Sequence, residues 1–377
     1  MSTLLELINV GQSYWLDNLS RRMIQNGELQ QRVSQEGLRG VTSNPAIFNK
    51  AISKSRDYDD QIFEFVKTGQ SVQAIYEALV IEDVQQACDI LRTVYDDSDG
   101  VDGFVSLEVS PHLAYATKST MNEARRLFEA VGRPNLMIKI PGTLAGVPAI
   151  EEMLYEGINI NITLLFSVER YEKVAEAYLR AMERRLAAGK SLNQVASVAS
   201  VFLSRIDTLV DKILNLHLRL SNDEEREVRA ELLFGQAAIA TAKLTYRRFL
   251  KIFSPASDRW RGLAEKGVRV QRPLWASTST KDPRYSDVKY VEPLIGPDTI
   301  NTMPEETIEA FADHGIIQEN SIFQGIDDVQ EIMNHLTKLG IDPEKVAWQL
   351  EHEGVQKFIE PYNLLLESLA LKQEQLK

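Results

Sequence analysis

The sequence predicts an α/β chain closed as a (β/α)8 TIM barrel, with a long helical insertion before strand 7 and a C-terminal helical tail. Three observations predict it. Eight short apolar runs alternate with longer segments of helical period, the pattern of a parallel sheet with helical crossovers. Polar residues capable of chemistry recur at the C-terminal ends of those runs, the end where barrel active sites converge. No GxGxxG turn or P-loop marks the competing open, doubly wound sheet. No period of about 20 to 50 residues recurs either, which removes repeat architectures. All 377 residues are read as a single barrel domain.

The first strand is expected over Ser13-Tyr14-Trp15-Leu16-Asp17, followed by a helix through Leu19, Met23 and Ile24. The second is Leu38-Arg39-Gly40-Val41-Thr42, running into Ser43-Asn44-Pro45. Helices follow around 57–68 and 72–94, the latter with Ser71 as its N-cap. Gly103–Glu108 is the third strand, and the helix 117–131 after it ends at Gly132 with Pro134 beyond. Asn135–Ile140 is the fourth strand. Ile158–Thr163 is the fifth, before a helix capped by Ser167. Val195–Phe202, Pro273–Ser277 and Asp298–Met303 complete the set of eight. Between the sixth and seventh lies a helical stretch, about 204–263, too long for one crossover. Asp342-Pro343-Glu344 opens the tail, about 342–377, with proline at a favourable helix start. Pro361 is expected to kink or interrupt it. The tail either packs outside the barrel or lies as a lid over its mouth.

Composition narrows the function. Apolar residues make up 44% and charged residues 25%, the balance of an ordinary globular protein. A net charge of −12 argues against nucleic acid as the main partner, while leaving room for one small anion held by a local basic cluster. Cys88 is the only cysteine, so there is no intrachain disulfide and no multi-cysteine metal site. The five histidines, His112, His217, His314, His335 and His352, show no ligand spacing. No apolar stretch reaches the roughly 20 residues of a membrane span, and the N-terminus lacks a signal-peptide pattern. The expectation is a cytoplasmic protein with no metal and no membrane partner. No isolated apolar stripe marks an interface, so the sequence assigns no oligomeric state.

The chemistry centres on Lys139, in Asn135-Leu136-Met137-Ile138-Lys139-Ile140-Pro141-Gly142-Thr143. A lysine desolvated among Leu, Met and Ile is pushed towards its neutral, nucleophilic form, which suits a Schiff base with a carbonyl substrate. Its ordinary alternative is a strand-end lysine snorkelling to water. Strand alternation puts Met137 and Lys139 on one face, and that face points inward if the lysine is functional. Asp17, Asn44, Glu108, Asn161, Thr163, Ser200 and Ser277 fall at or near other strand ends. Taken singly, Asp17 could cap a helix, Asn44 could form a turn and Glu108 could sit solvated in a loop. Together they match aldol chemistry. One carboxylate can remove water from the carbinolamine, another can take the hydroxyl proton whose loss breaks a carbon–carbon bond, and amides and hydroxyls can orient the sugar.

These residues resemble the transaldolases of the pentose phosphate pathway, in particular the longer bacterial members. The matching segments are Gly40-Val41-Thr42-Ser43-Asn44-Pro45, Val105–Val109, Ile138–Thr143, Gly157–Ser167, Ser200–Arg205 and Trp275–Thr278. They run in the family's order from near Ser13 to about Met303. The resemblance implies a barrel and cofactor-free transfer of a dihydroxyacetone unit. The donor would be sedoheptulose 7-phosphate or fructose 6-phosphate, and the acceptor glyceraldehyde 3-phosphate or erythrose 4-phosphate. By resemblance, Lys139 is the Schiff-base lysine and Asp17 handles the proton of the C4 hydroxyl. Glu108 is an acid/base acting through a water that Thr163 helps to hold. Asn44 and Asn161 bind substrate hydroxyls, Ser200 adds a further hydroxyl, and Arg205 and Ser277 sit at the phosphate. The chain departs from shorter members at Ser279, where they carry arginine. Lys281 is the nearest basic replacement, a point charge rather than a bidentate fork. Val201 also stands where many relatives carry proline.

Two rivals are weighed against this. Related aldolases that release free dihydroxyacetone are shorter, and tend to carry Gln at the position of Glu108 and Tyr at that of Phe202. A phenyl ring cannot order a water or protonate the enamine, so both positions here favour transfer. A barrel that only binds sugar phosphate would have no use for a buried amine flanked by two carboxylates.

Overall fold

The computed structural model describes residues 3–220 and 223–375. Residues 1–2 of the N-terminal segment, 221–222 of the expected insertion and 376–377 of the expected tail lie outside the described residues. Eight strands close a barrel in sequence order: β1 (Gln12–Leu16), β2 (Gly40–Thr42), β3 (Phe104–Glu108), β4 (Leu136–Pro141), β5 (Ile160–Leu165), β6 (Ser197–Phe202), β7 (Arg272–Ala276) and β8 (Thr299–Met303). Every neighbouring pair is parallel, including β1 with β8. Every residue of the eight strands is buried. That explains why most of them read as runs of Val, Ile, Leu and Phe rather than alternating polar and apolar.

The register is uneven around the ring. β1 runs alongside β8 from Gln12↔Thr299 to Leu16↔Met303. Its pairing with β2 is limited to Leu16↔Val41, with one further bond from the Arg39 N–H to the Tyr14 carbonyl at 3.1 Å. Close approach explains the glycine of β2: a Cβ on Gly40 would stand 2.4 Å from the Trp15 indole.

The floor of the barrel is a polar clasp. Arg272 of β7 pairs with Asp102 at 3.0 Å, donates to Ser13 Oγ at 2.7 Å and reaches the Thr299 carbonyl at 2.9 Å. Ser13 in turn donates to Asp102 at 2.6 Å. A buried charge pair is tolerated because other hydrogen bonds satisfy most of its remaining groups, Arg272 Nε alone of this pair having no partner.

Helices fill the crossovers with the capping expected of them. Ser71 caps Val72–Ile90 by accepting from the Ala74 N–H, Ser167 caps Val168–Ala187 through Arg170, and Gly132 ends Thr117–Val131 at φ +59°. The expected helix over 72–94 is two helices, Val72–Ile90 and Arg92–Asp97. Leu91 sits between them at φ −81°, ψ −1°, at the edge of the helical region, where it caps the first helix through the Ala87 carbonyl. The stretch between β6 and β7 is four helices: Ser204–Leu220, Glu224–Glu231, Ala237–Ile252 and Asp258–Ala264.

The C-terminal helix Pro343–Gln375 runs through Pro361 without a break, so of the expected kink or interruption the interruption does not occur. Proline removes the bond to the Lys357 carbonyl, but Lys357 is exposed and its carbonyl can turn to solvent. Meanwhile Phe358, Tyr362, Leu365 and Leu369 are buried on the other face and hold the helix in place. The helix lies over the C-terminal mouth of the barrel. Phe358 stands 5.7 Å over Lys139 Nζ, and His112 of the segment after β3 bonds Asn363 at 2.9 Å. Both readings of the tail hold in part: Phe358 stands over the mouth, while Tyr362, Lys372 and Gln373 pack the same helix against the outer helices through Gln73, Asp59 and Gln70. Among the described residues no helix is long and apolar enough to cross a membrane.

Candidate active site

Three of the expected residues share one level of the barrel because the strand register sets them there. Glu108 is paired with Lys139 across β3 and β4, and Lys139 with Asn161 across β4 and β5. Lys139 is only 4% exposed and points inward. Its surroundings are more polar than the apolar run suggests. Nζ donates to the Ser43 carbonyl at 3.1 Å and lies 3.5 Å from Glu108 Oε2. Neighbours along the chain say nothing about groups that arrive from β2 and β3, so this pairing corrects the picture of an amine among hydrocarbon alone.

Glu108 is 7% exposed, so it is no solvated loop carboxylate. Neither oxygen has a closer protein partner than Lys139. Burial pushes its carboxyl up to about 7, with the Lys139 charge opposing the shift and Asp17 adding to it. Asp17 stands just past β1, its N–H bonded to the Met303 carbonyl at 2.8 Å. It caps no helix; Ser20 caps the next one. Thr42 Oγ1 donates to Asp17 Oδ1 at 2.8 Å and, its proton committed, accepts from Thr302 Oγ1 at 2.7 Å. Burial raises the Asp17 carboxyl as well, against the pull of Lys139 and the Thr42 bond.

Asn161 is locked between two hydroxyls. Its Nδ2 donates to Ser106 Oγ at 3.0 Å and its Oδ1 accepts from Ser200 Oγ at 2.7 Å. Thr163 is fully buried, and its hydroxyl has no protein partner. A register irregularity between Ile162 and Leu165 flanks it, with Leu164 at φ +60°. That left-handed conformation costs a non-glycine residue about 1–2 kcal/mol. Asn44 does cap a helix, accepting from the Ala46 and Ile47 N–H groups at 3.0 and 3.1 Å. This fixes its oxygen and leaves the amide NH2 as the group available to a ligand.

A cavity of about 220 Å³ opens above Lys139. Asp17, Asn44, Lys139, Ser200, Arg205, Ser277 and Lys281 line it. Glu108, Asn161 and Thr163 do not; they reach it only through their neighbours, Glu108 through Lys139 and Asn161 through Ser200. Arg205 opens the helix after β6, its guanidinium 5.3 Å over the Phe202 ring and 5.7 Å over Phe358. One of its terminal nitrogens is buried without a partner, which suits an incoming anion. Ser277 is left-handed at φ +54°, bonded to Ser204 Oγ at 2.8 Å. Lys281 is exposed and donates to Ser279 Oγ. Two larger cavities adjoin the helices after β5 and β6, the second touching Lys281, and neither Asp17 nor Glu108 lines them.

One cavity thus holds a buried amine, a carboxylate raised by burial and an anion site, with a second raised carboxylate, Glu108, 3.5 Å behind the amine. This equipment can form a Schiff base and move protons on either side of it. A family model described as Transaldolase/Fructose-6-phosphate aldolase matches residues 14–369. The chain belongs to the transaldolase/fructose-6-phosphate aldolase family. It is 48% identical over 375 residues to the transaldolase of Trichodesmium erythraeum, covering 99% of this chain and 98% of that protein. Transaldolase 2 of a Nostoc species is 49% identical over 369 residues, covering 97% and 96%. The transaldolase of Mycobacterium tuberculosis is 48% identical over 357 residues, covering 95% and 93%.

Within this transaldolase/fructose-6-phosphate aldolase chain, sequence reasoning passed over several groups that the fold brings to the site. Thr42 lay inside a quoted motif with no task given to it, yet it orients Asp17. Ser106 holds Asn161, and the Ser43 carbonyl holds Lys139. Phe358 lies far along the chain in the tail, and nothing local marks it as the residue over the lysine.

Proposed function

We propose that the chain acts as a transaldolase through one barrel domain. It would transfer a dihydroxyacetone unit from a ketose phosphate (sedoheptulose 7-phosphate or fructose 6-phosphate) to an aldose phosphate (glyceraldehyde 3-phosphate or erythrose 4-phosphate). The enzyme is a transferase, and its place is the pentose phosphate pathway. Supporting this most directly is Lys139, buried at the barrel axis 3.5 Å from Glu108, in a cavity it shares with Asp17. A cytoplasmic setting and a reaction needing no cofactor are part of the same reading.

The steps follow from the groups present. Lys139 Nζ adds to the donor's C2 carbonyl, forming a C–N bond and a carbinolamine. Glu108, near 7 and therefore able to give or take a proton at neutral pH, protonates the leaving hydroxyl, and water departs to leave the iminium. The buried, unpartnered Thr163 hydroxyl is suited to holding a water that relays this proton. Asp17 takes the proton of the C4 hydroxyl as the C3–C4 bond breaks. An aldose leaves, and the bonding pair stays as an enamine on Lys139. The acceptor aldehyde enters and the steps reverse. Asn44 and Asn161 orient the hydroxyls, with Ser200 fixing Asn161. Arg205, Ser277 and Lys281 bind the phosphate. Phe202 lines the cavity with no hydroxyl to deliver a proton to the enamine, which favours transfer over release.

Borohydride trapping with fructose 6-phosphate, followed by peptide mapping, tests the reading. A reduced three-carbon adduct on Lys139, suppressed by erythrose 4-phosphate, is expected. An enzyme that binds the sugar and yields no adduct would overturn it.

A further inference from the structure

We propose that the helical insertion between β6 and β7 is a positioning device for the phosphate end of the substrate, in which Asp207 and Asp211 fasten the segment carrying Ser277, Ser279 and Lys281. The proposal rests on the sugar-phosphate reading above. Both carboxylates are buried, one turn apart on the helix that begins with Ser204 and Arg205 at the cavity. Each divides its two oxygens in the same way. Asp207 accepts from the Ala238 N–H at 2.7 Å through Oδ1 and from the Tyr290 hydroxyl at 2.9 Å through Oδ2. Asp211 accepts from the Gly235 N–H at 2.9 Å through Oδ1 and from the Tyr285 hydroxyl at 2.7 Å through Oδ2. One oxygen of each therefore grips the insertion, and the other grips the segment after β7.

Lys289 reinforces the join, 3.4 Å from Asp207 and donating to the Gly235 carbonyl at 2.6 Å. At the other end of the segment, the Ser277 carbonyl accepts from the Ser204 N–H at 3.0 Å, and the two side chains are bonded as well. Ser279 and Lys281 lie on the span between these two anchors. Lys281 has only the Ser279 hydroxyl as a partner there, so the anchors decide where its charge stands. Two buried carboxylates are costly to a fold unless fully bonded, and a crossover needs only one helix. What they add is a pre-ordered anion site, whose ordering cost is met in folding rather than in binding.

The test uses Tyr285→Phe, which removes one hydroxyl and keeps the ring, with Asp211→Asn as a second variant. The Michaelis constant for fructose 6-phosphate and the inhibition constant of inorganic phosphate should both rise about tenfold in Tyr285→Phe, the scale of a lost hydrogen bond to a charged group. Turnover at saturation, and borohydride trapping of unphosphorylated dihydroxyacetone on Lys139, should stay unchanged. In a Lys281→Ala background the effect of Tyr285→Phe should shrink, since part of it acts through that lysine. An unchanged Michaelis constant in folded protein, a parallel loss of dihydroxyacetone trapping, or full additivity with Lys281→Ala would each overturn the proposal. If the parent enzyme itself gave no adduct with fructose 6-phosphate, the sugar-phosphate reading would fail instead.

Discussion

The Phe358 ring stands 5.7 Å from Lys139 Nζ, brought there by the C-terminal helix from the far end of the chain. The same ring lies 5.7 Å from the Arg205 guanidinium carbon, so one aromatic face covers both the amine and the anion site. An enamine on Lys139 would have this ring as one wall.

Phe358→Ala should therefore uncouple the reaction. Free dihydroxyacetone released per transfer event is expected to rise, with a stability cost of about 3–5 kcal/mol for truncating a buried phenyl group. Enzymatic assay of dihydroxyacetone with and without acceptor measures it. An unchanged ratio would remove Phe358 from any role beyond packing.

Thr42→Val should lower kcat/KM about ten- to a hundredfold, the scale of losing a hydrogen bond to a carboxylate, while leaving phosphate inhibition alone. The valine keeps the shape and drops the hydroxyl that faces Asp17 and Thr302. Steady-state kinetics at several phosphate concentrations would decide it, and near-parental rates would mean Asp17 needs no such orientation.

Asp17 and Glu108 should fail at different steps. Asp17→Asn is expected to keep borohydride trapping of dihydroxyacetone on Lys139 while transfer falls at least about a hundredfold, the scale of general acid–base catalysis. Glu108→Ala should slow the trapping itself. If both variants lost the same step equally, the division of proton transfers would be wrong.

Glu108 also gives a sign for stability against pH. Its folded value is about 7 and its ordinary value 4.5, so the unfolded chain gives up this proton first. The folded state then loses stability as pH rises from about 4.5 to 7, and the loss is complete above 7. Glu108→Gln lacks this loss. Relative to the parent, it should gain on the order of 3 kcal/mol between the two ends of that window. Denaturant unfolding at pH 4.5 and 8 reads it out; a gap that narrows with rising pH would contradict the shifted carboxyl.

Much of this was legible in the chain because periodicity and punctuation are local. All eight strands, and caps such as Ser71, Ser167 and Gly132, lie where alternating runs and turn residues put them. The residues at the strand ends came with them, since a closed parallel barrel brings those ends together whatever the loops do. What stayed hidden was set by contacts between distant segments. The carbonyl and carboxylate around Lys139 come from other strands, Leu164 turns left-handed inside an apolar run, and burial keeps Pro343–Gln375 whole through Pro361. Propensity alone would have broken that helix.

The uneven pairing around β1 has a consequence for motion. Its long ladder with β8 makes the joint between first and last strands a firm one, while the short edge with β2 is the slackest joint in the ring. Asp17 stands at the end of that slack edge, and the Thr42 hydroxyl is stitched across it. Glu108 and Asn161 instead share ladder rungs with Lys139. Asp17, proposed for carbon–carbon cleavage, is thus tied across that edge by a side-chain bond, where Glu108 and Asn161 are set beside the amine by backbone rungs. Loss of the Thr42 hydroxyl is therefore the change that would loosen the cleavage base while leaving the partners of the Schiff base in register.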